Sequence, residues 1–428
     1  MFRKQGNFSR RDFLKTAGAV GIGSLLSPME SLTHAQESSD PKRSPLNVVP
    51  TRPFGKTGVN VSILSLGGAF HWSNLLLMKR SLNMGVTYWD TAPGYGNGQS
   101  EVGIGRYFQK FPEDRENVFL VTKSDTSDPP YMTKSLNNSL DRMNTSYIDL
   151  YFLHGISNPY EADKQIKAWA DETKSRGKIR FFGFSTHSNM EECLLGAAKL
   201  GWIDGIMFTY NYRIMHTERM KKAVNDCFKA GIGLTAMKTQ ATGWATGQGP
   251  LSDKERALLN QFKKKGLSAE QANLKAVWDD NRIASICSYM TNMKVLSDNA
   301  SAAMDNKKLS VHDIDYLKQY ARETASNYCT GCAYVCEPIM NNQVPISDVM
   351  RYLMYSRCYG DHERAKMAFI ELPSEVRRRM GDINYDDAER KCPNKLPIGQ
   401  LMREAVIEFF YKTANFQITP ATAPKGTR

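Results

Sequence analysis

Val86-Thr87-Tyr88-Trp89-Asp90-Thr91-Ala92-Pro93-Gly94-Tyr95-Gly96-Asn97-Gly98 reads as a short β-strand that stops at an acid and gives way to a turn. Val, Thr, Tyr and Trp suit a pleated strand, and Pro93 with the glycines after it ends one. Working outward, comparable runs recur at 61–66, 118–123, 148–154, 179–185, 205–210, 232–237 and 283–287. Between them lie stretches with apolar residues three and four apart, as at 132–143 and 190–200, the spacing of one helix face. Eight strands alternating with helices predict a parallel α/β sheet, and closing it gives a (β/α)8 TIM barrel. An open doubly wound sheet is the alternative. It would favour a G-x-G-x-x-G loop after the first strand, and Leu66-Gly67-Gly68-Ala69 lacks that spacing.

Chemistry in such a barrel belongs at the C-terminal ends of the strands. The second predicted strand ends in Asp90 with Tyr95 just beyond, the third ends in Lys123, and the fourth ends in His154. An acid, a phenol, an amine and an imidazole at successive strand ends form a set able to move protons. A lone strand-end histidine would more often be structural. The combination is what carries weight.

The segment from Tyr88 to Glu101, with Val121-Thr122-Lys123 and Tyr147-Ile148-Asp149-Leu150-Tyr151-Phe152-Leu153-His154 after it in order, closely resembles the signature blocks of the aldo-keto reductase family over roughly 52–300. The resemblance implies hydride transfer between a nicotinamide cofactor, NADP or NAD, and a small carbonyl or alcohol substrate. Tyr95 would give the proton, Lys123 would lower the phenol's pKa, Asp90 would hold Lys123, and His154 would orient the carbonyl oxygen. It also implies cofactor contacts from Ser185, Tyr210, Asn211, Ser288, Asn292 and Asn299, with the Tyr210 ring available to stack on the nicotinamide. The chain departs from the family pattern at Thr186, where Asn is common, and at Met207, where Gln is common. No clear arginine is placed to clamp a 2′-phosphate, so the choice between NADP and NAD stays open.

The eight cysteines are unevenly spread. Cys193, Cys227 and Cys287 stand singly and read as core thiols. Cys329-Thr-Gly-Cys332-Ala-Tyr-Val-Cys336-Glu-Pro338 and the distant Cys392-Pro393 lie in a predicted helical region. Clustered thiolates followed by a separate Cys-Pro resemble ferredoxin-type ligation. The resemblance implies one [4Fe–4S] cluster on Cys329, Cys332, Cys336 and Cys392, although C-x2-C-x3-C is one residue longer than the ferredoxin spacing. A four-cysteine zinc site is the competing reading, and Cys358 is a substitute ligand without the proline. Aldo-keto reductases with such a C-terminal extension form a bacterial subgroup that the chain resembles throughout.

Before the barrel, Ser9-Arg10-Arg11-Asp12-Phe13-Leu14-Lys15, a weakly apolar run from Ala17 to Leu26 and Thr33-His34-Ala35 have the layout of a signal peptide. The paired arginines resemble the twin-arginine signal, which sends folded proteins, cofactor included, to the periplasm. The expected organisation is a signal at 1–35, a linker at 36–48, the barrel at 49–312, a small, mainly helical iron–sulfur domain at 313–412 and a flexible tail at 413–428. The net charge of +12, from 56 Lys and Arg against 44 Asp and Glu, is dispersed without a basic-aromatic stripe, so nucleic acid is not an expected partner. The expected partners are the small substrate, the twin-arginine export machinery and a redox partner protein. Two rival functions remain: an exported relay dehydrogenase whose tightly held cofactor is recycled through the cluster, and an idle barrel scaffold with a structural metal. The loop 242–250, which would shape the pocket, carries no readable code.

Overall fold

The computed structural model describes residues 48–69, 72, 74–242 and 253–411. The expected signal and the linker up to residue 47, the loop from 243 and the tail lie outside the described residues. The chain enters through an antiparallel hairpin, β1 (Thr51–Pro53) and β2 (Asn60–Ser62). Eight parallel strands follow: β3 (Leu64–Gly67), β4 (Tyr88–Asp90), β5 (Phe119–Ser124), β6 (Ile148–Leu153), β7 (Ile179–Thr186), β8 (Gly205–Thr209), β9 (Gly233–Met237) and β10 (Ser285–Tyr289). They close into a barrel when β10 returns to pair with β3, Ile286 opposite Leu64. Closure removes both sheet edges and excludes the open-sheet alternative. The first predicted run is divided: Val61 and Ser62 belong to the hairpin, and Leu64 to Leu66 belong to the barrel.

The two-residue period of each strand separates two layers. Tyr88, Phe119, Val121, Leu150, Phe152, Met207 and Met237 face inward and pack with Phe54, which plugs the barrel from the hairpin side. Phe54 is fully buried against Tyr88 and Phe119, and the bare backbones of Gly205 and Gly233 leave room for it. Burial of such a ring contributes roughly 2–3 kcal/mol. The alternate residues, Trp89, Leu120, Tyr151, Phe182, Phe184 and Phe208 among them, face the surrounding helices. The predicted helical stretches become the helices Pro129–Arg142 and Met190–Leu200. Asp128 caps the first by accepting from Tyr131 N, as a short acidic side chain at that position should.

Beyond β10 the described chain is helical. The helix Val311–Glu323 buries Leu317 and Tyr320 in the barrel's own outer layer. A second core then forms among the helices Ile346–Tyr359, His362–Glu371, Asp386–Lys391 and Ile398–Val406, around Met350, Leu353, Phe369 and Met402. This helical part is fastened to the C-terminal ends of the barrel strands. Asn189 N donates to Gly331 O at 2.7 Å, the Ser188 and Ser347 hydroxyls meet at 2.8 Å, and Asn211 Nδ2 donates to Tyr328 Oη at 3.0 Å.

Candidate active site

Strand alternation brings three of the four expected residues to one place. Tyr88 and Asp90, Val121 and Lys123, and Phe152 and His154 are successive inward positions on β4, β5 and the end of β6. Lys123 Nζ donates to Asp90 Oδ1 at 2.7 Å and to the Thr91 carbonyl at 2.6 Å, and both side chains are almost wholly buried. Tyr95 arrives differently, on the turn Tyr95–Gly98, where Gly96, Asn97 and Gly98 all have positive φ (56°, 53° and 85°). Glycine and asparagine tolerate that region best, so this triplet can turn the chain sharply and hold the phenol over the barrel. Ser100 and Glu101 anchor the turn: Ser100 Oγ donates to Gly68 O, and Glu101 accepts from Thr122 Oγ1 and pairs with Arg142. The Lys123 ammonium then lies 4.8 Å from the Tyr95 ring centre, and the His154 ring stands edge-on to it at 5.8 Å.

Burial on its own would push a proton off Lys123, but the Asp90 partner outweighs it and holds the ammonium above its usual range. Burial pushes the Tyr95 phenol up; Lys123 and Arg364 pull it down, and Asp90 adds to the rise. The net shift is upward, opposite to the lowering expected from Lys123 alone, because burial is the larger influence. Tyr95 is therefore a phenol, not a phenolate, at neutral pH. Burial likewise lowers the His154 imidazole, with Lys123 adding to the fall and Asp125 opposing it. His154 Nδ1 lies 2.5 Å from Asp125 Oδ1. A carboxylate there assigns the proton of the neutral ring to Nδ1 and leaves Nε2 as its acceptor nitrogen.

Sequence reasoning did not pick out Asp125, which sits in the loop after β5, nor the groups that reach the mouth from elsewhere. Arg364, on the helix His362–Glu371, stands 5.5 Å from the Tyr95 ring centre, and Lys238 follows directly on β9. Arg364 carries no strand-end signature, since it comes from a separate helical region. Cys287 also departs from expectation. Cys193 and Cys227 are fully buried, but Cys287 is partly exposed and faces Asp90 and Lys123.

The expected cofactor residues divide. Tyr210 cannot stack on a ring at the mouth, because it shares the outward parity of Phe208: its ring is fully buried under the helices and its hydroxyl donates to Asp280 at 2.7 Å. Asn211 spends its amide on Lys238 O and Tyr328 Oη, and Ser185 Oγ accepts from Gly155 N. At the other end, Asn299 Nδ2 donates to Ser288 Oγ, and Asn292 caps the exposed start of the helix Met293–Met304. The first-turn amides of that helix suit a phosphate, while Lys294 beside them is paired with Asp298 at 2.6 Å. The donors at that end suit the phosphates of a dinucleotide, whereas Tyr210 and Asn211 are turned to other partners.

The four clustered cysteines converge. Cys329, Cys332, Cys336 and Cys392 line one small, partly open cavity with Val335, Ile346, Leu396 and Ile398 among its apolar walls. None is in a disulfide. Among the described residues, no three His, Cys, Asp or Glu side chains are gathered as ligands of a single metal ion. A tetrahedral ion draws its thiolates to about 2.3 Å, whereas an iron–sulfur cube spreads them over its corners. Four free thiols round a cavity are the donor chemistry of either arrangement.

Residues 73–321 match the aldo/keto reductase family, and residues 7–27 match the twin-arginine translocation pathway signal sequence. The Schizosaccharomyces pombe aldo-keto reductase yakc, whose name carries NADP(+), is 27% identical over 214 residues, which cover 47% of this chain and 61% of that protein. The chain thus spans less than two thirds of that relative's length. The Arabidopsis thaliana L-galactose dehydrogenase is 22% identical over 291 residues, 61% of this chain and 91% of the relative. The holo form of an aldo-keto reductase from Bacillus halodurans shares the fold, with a TM-score of 0.52 at 20% identity over 64% of this chain and 96% of that one.

Proposed function

Because the chain belongs to the aldo/keto reductase family, we propose that it is an oxidoreductase interconverting a small carbonyl compound and its alcohol, with Tyr95 as the proton-transfer group. One observation carries this reading: the buried Lys123–Asp90 pair lies beside the Tyr95 ring, and His154 stands edge-on to it. In the reducing direction the Tyr95 phenol gives its proton to the nascent alkoxide. The Lys123 ammonium stabilises the phenolate left behind, and Asp90 keeps that ammonium charged and in place. Neutral His154 offers bare Nε2 to the hydroxyl of the alcohol form; once protonated, it donates from Nε2 to the carbonyl form. A nicotinamide dinucleotide, NADP or NAD, supplies or accepts the hydride when bound, and Ser288, Asn292 and Asn299 belong to the region suited to its phosphates.

We also propose that the signal directs the folded protein through the twin-arginine route to the periplasm, and that Cys329, Cys332, Cys336 and Cys392 hold one [4Fe–4S] cluster. Such a cluster adds one-electron chemistry beside the barrel. Tyr95→Phe is the direct test of the catalytic reading. Its kcat for aldehyde reduction should fall on the order of 10²–10⁴-fold, as loss of a positioned proton donor does, with thermal unfolding and dinucleotide binding unchanged. Turnover close to that of the parent protein would remove Tyr95 from the mechanism.

A further inference from the structure

Two cations meet on one tyrosine at the barrel mouth. Lys238 Nζ stands 5.0 Å from the ring centre of Tyr355 and 4.7 Å from that of Tyr359. The Arg364 guanidinium stands 4.3 Å from the Tyr355 ring and 5.5 Å from that of Tyr95. Tyr355 is buried, whereas both cations remain partly open to solvent. Among the described residues neither cation has a carboxylate within 4.0 Å.

The acids nearby are committed elsewhere. Asp90 holds Lys123, Asp125 holds His154, and Asp361 caps the helix His362–Glu371 by accepting from Arg364 N. Asp361 acts on both groups only at longer range. Burial, then Arg364 and Arg351, push the Lys238 ammonium well below its usual range, so a bound anion is what would hold it charged. A third cation, Arg351, is 7% exposed and turns its guanidinium to Met354 Sδ rather than to a carboxylate. The same groups act on His187, whose imidazole is driven well down by burial and then by Arg351, Lys238 and Arg364. Half-buried cations without counter-ions are costly, and the three tyrosine rings offset that cost only in part.

The backbone is constrained at the same place. Lys238 has φ 57°, unusual for a side chain of its size, and Asn211 Nδ2 and Ala241 N both donate to its carbonyl to hold it there. Strain of this kind persists where the surroundings enforce it, most often at functional positions.

We infer that Lys238 and Arg364 form a subsite for an oxyanion carried by the substrate, so that the enzyme acts on a carbonyl compound, or its alcohol, that also bears a carboxylate. The inference rests on the oxidoreductase reading above. It makes the helix His362–Glu371 part of the substrate site, since the barrel alone lacks Arg364. Two hydrogen-bonding cations flanked by aromatic faces would take the carboxylate while the substrate's carbon frame lies along Tyr95 and Tyr355. The phosphates of a dinucleotide are the other source of oxyanion, and the test separates the two.

The full-length protein is assayed with 4-carboxybenzaldehyde and with benzaldehyde, and benzoate binding is measured by calorimetry with and without NADPH. The acidic aldehyde should have a KM about tenfold below that of the neutral one, as one charge-assisted contact provides. Lys238→Gln should remove most of that preference and weaken benzoate binding about tenfold, with the KM for benzaldehyde little changed. Arg364→Gln should weaken benzoate binding to the same extent, and because Arg364 also acts on Tyr95 its effect on the preference is read as the ratio of the two KM values. Arg364→Lys should restore part of the preference in a protein of parental thermal stability. Equal KM values for the two aldehydes, or benzoate binding indifferent to both glutamine variants, would overturn the subsite. Glutamine variants that weaken NADPH binding and leave benzoate untouched would assign the cations to the dinucleotide and overturn it as well. Benzoate binding that needs Lys238 and Arg364, without reduction of either aldehyde, would uphold the subsite and defeat the oxidoreductase reading instead.

Discussion

At the scale of single residues, the site works by setting burial against charge. Lys123 stays charged only because Asp90 lies 2.7 Å away, and Tyr95 stays protonated because burial outweighs the two cations beside it. Asp125 plays the corresponding part for His154, through both its hydrogen bond and its charge. Removing that carboxylate has a definite sign. Asp125 raises the imidazole's proton affinity, while burial, Lys123 and Arg364 lower it. In Asp125→Asn only the lowering influences remain, so the limb of the pH–rate profile that belongs to His154 should move to lower pH. The rate should also fall roughly tenfold, because the imidazole loses the partner that fixes its tautomer. A limb that stays in place or moves up would show that His154 does not titrate in that profile. Asp90, Tyr95, Lys123 and His154 were legible because each sits at a strand end or one turn beyond. Asp125 was not, since an acid two residues past Lys123 in a loop has no periodicity to mark it.

At the scale of elements, parity and turn chemistry decide which side chains arrive. Tyr210 is one residue beyond β8, and its place in a Tyr-Asn pair suggested a ring-stacking role. The two-residue period sends it outward with Phe208, away from the mouth. The loop Cys329–Cys332 depends on one glycine. Gly331 has φ 78°, and a Cβ there would come within 2.5 Å of His187 O, where the loop meets the end of β7. Gly331→Ala should therefore lower stability by roughly 1–3 kcal/mol, the range for a backbone forced into a sparsely populated region. The fall should appear as a lower Tm in thermal unfolding. An unchanged Tm would mean that the loop can swing away from the barrel without loss.

At the scale of the whole molecule, the helical part and the barrel are one packed body rather than two joined by a tether. Tyr328 shows this most directly. It adjoins Cys329 in sequence, is fully buried in the barrel's outer layer, and reaches Asn211 with its hydroxyl. Asn394, two residues past Cys392, donates to the Tyr328 carbonyl from the other side. The proposed cluster site is thus tied through Tyr328 to the barrel just past the end of β8. Protein prepared anaerobically should contain about four iron and four sulfide per chain, the content of one cube. Cys392→Ser should lose most of both. Stoichiometric zinc without iron in the parent protein would replace the cluster by a single-ion site.

The barrel, its strand ends and the helical character of the C-terminal part were determined by the sequence alone, because strand and helix periods and turn residues act over a few neighbours. The same local logic singled out the four thiols as short motifs. What only the tertiary structure decided is which distant groups meet. Arg364 reaches Tyr95 from 269 positions away along the chain, and Lys238 lies between the Tyr355 and Tyr359 rings. No local period encodes such meetings. They follow from how the helices Ile346–Tyr359 and His362–Glu371 dock on the barrel, and docking is set by surfaces that exist only once both parts are folded.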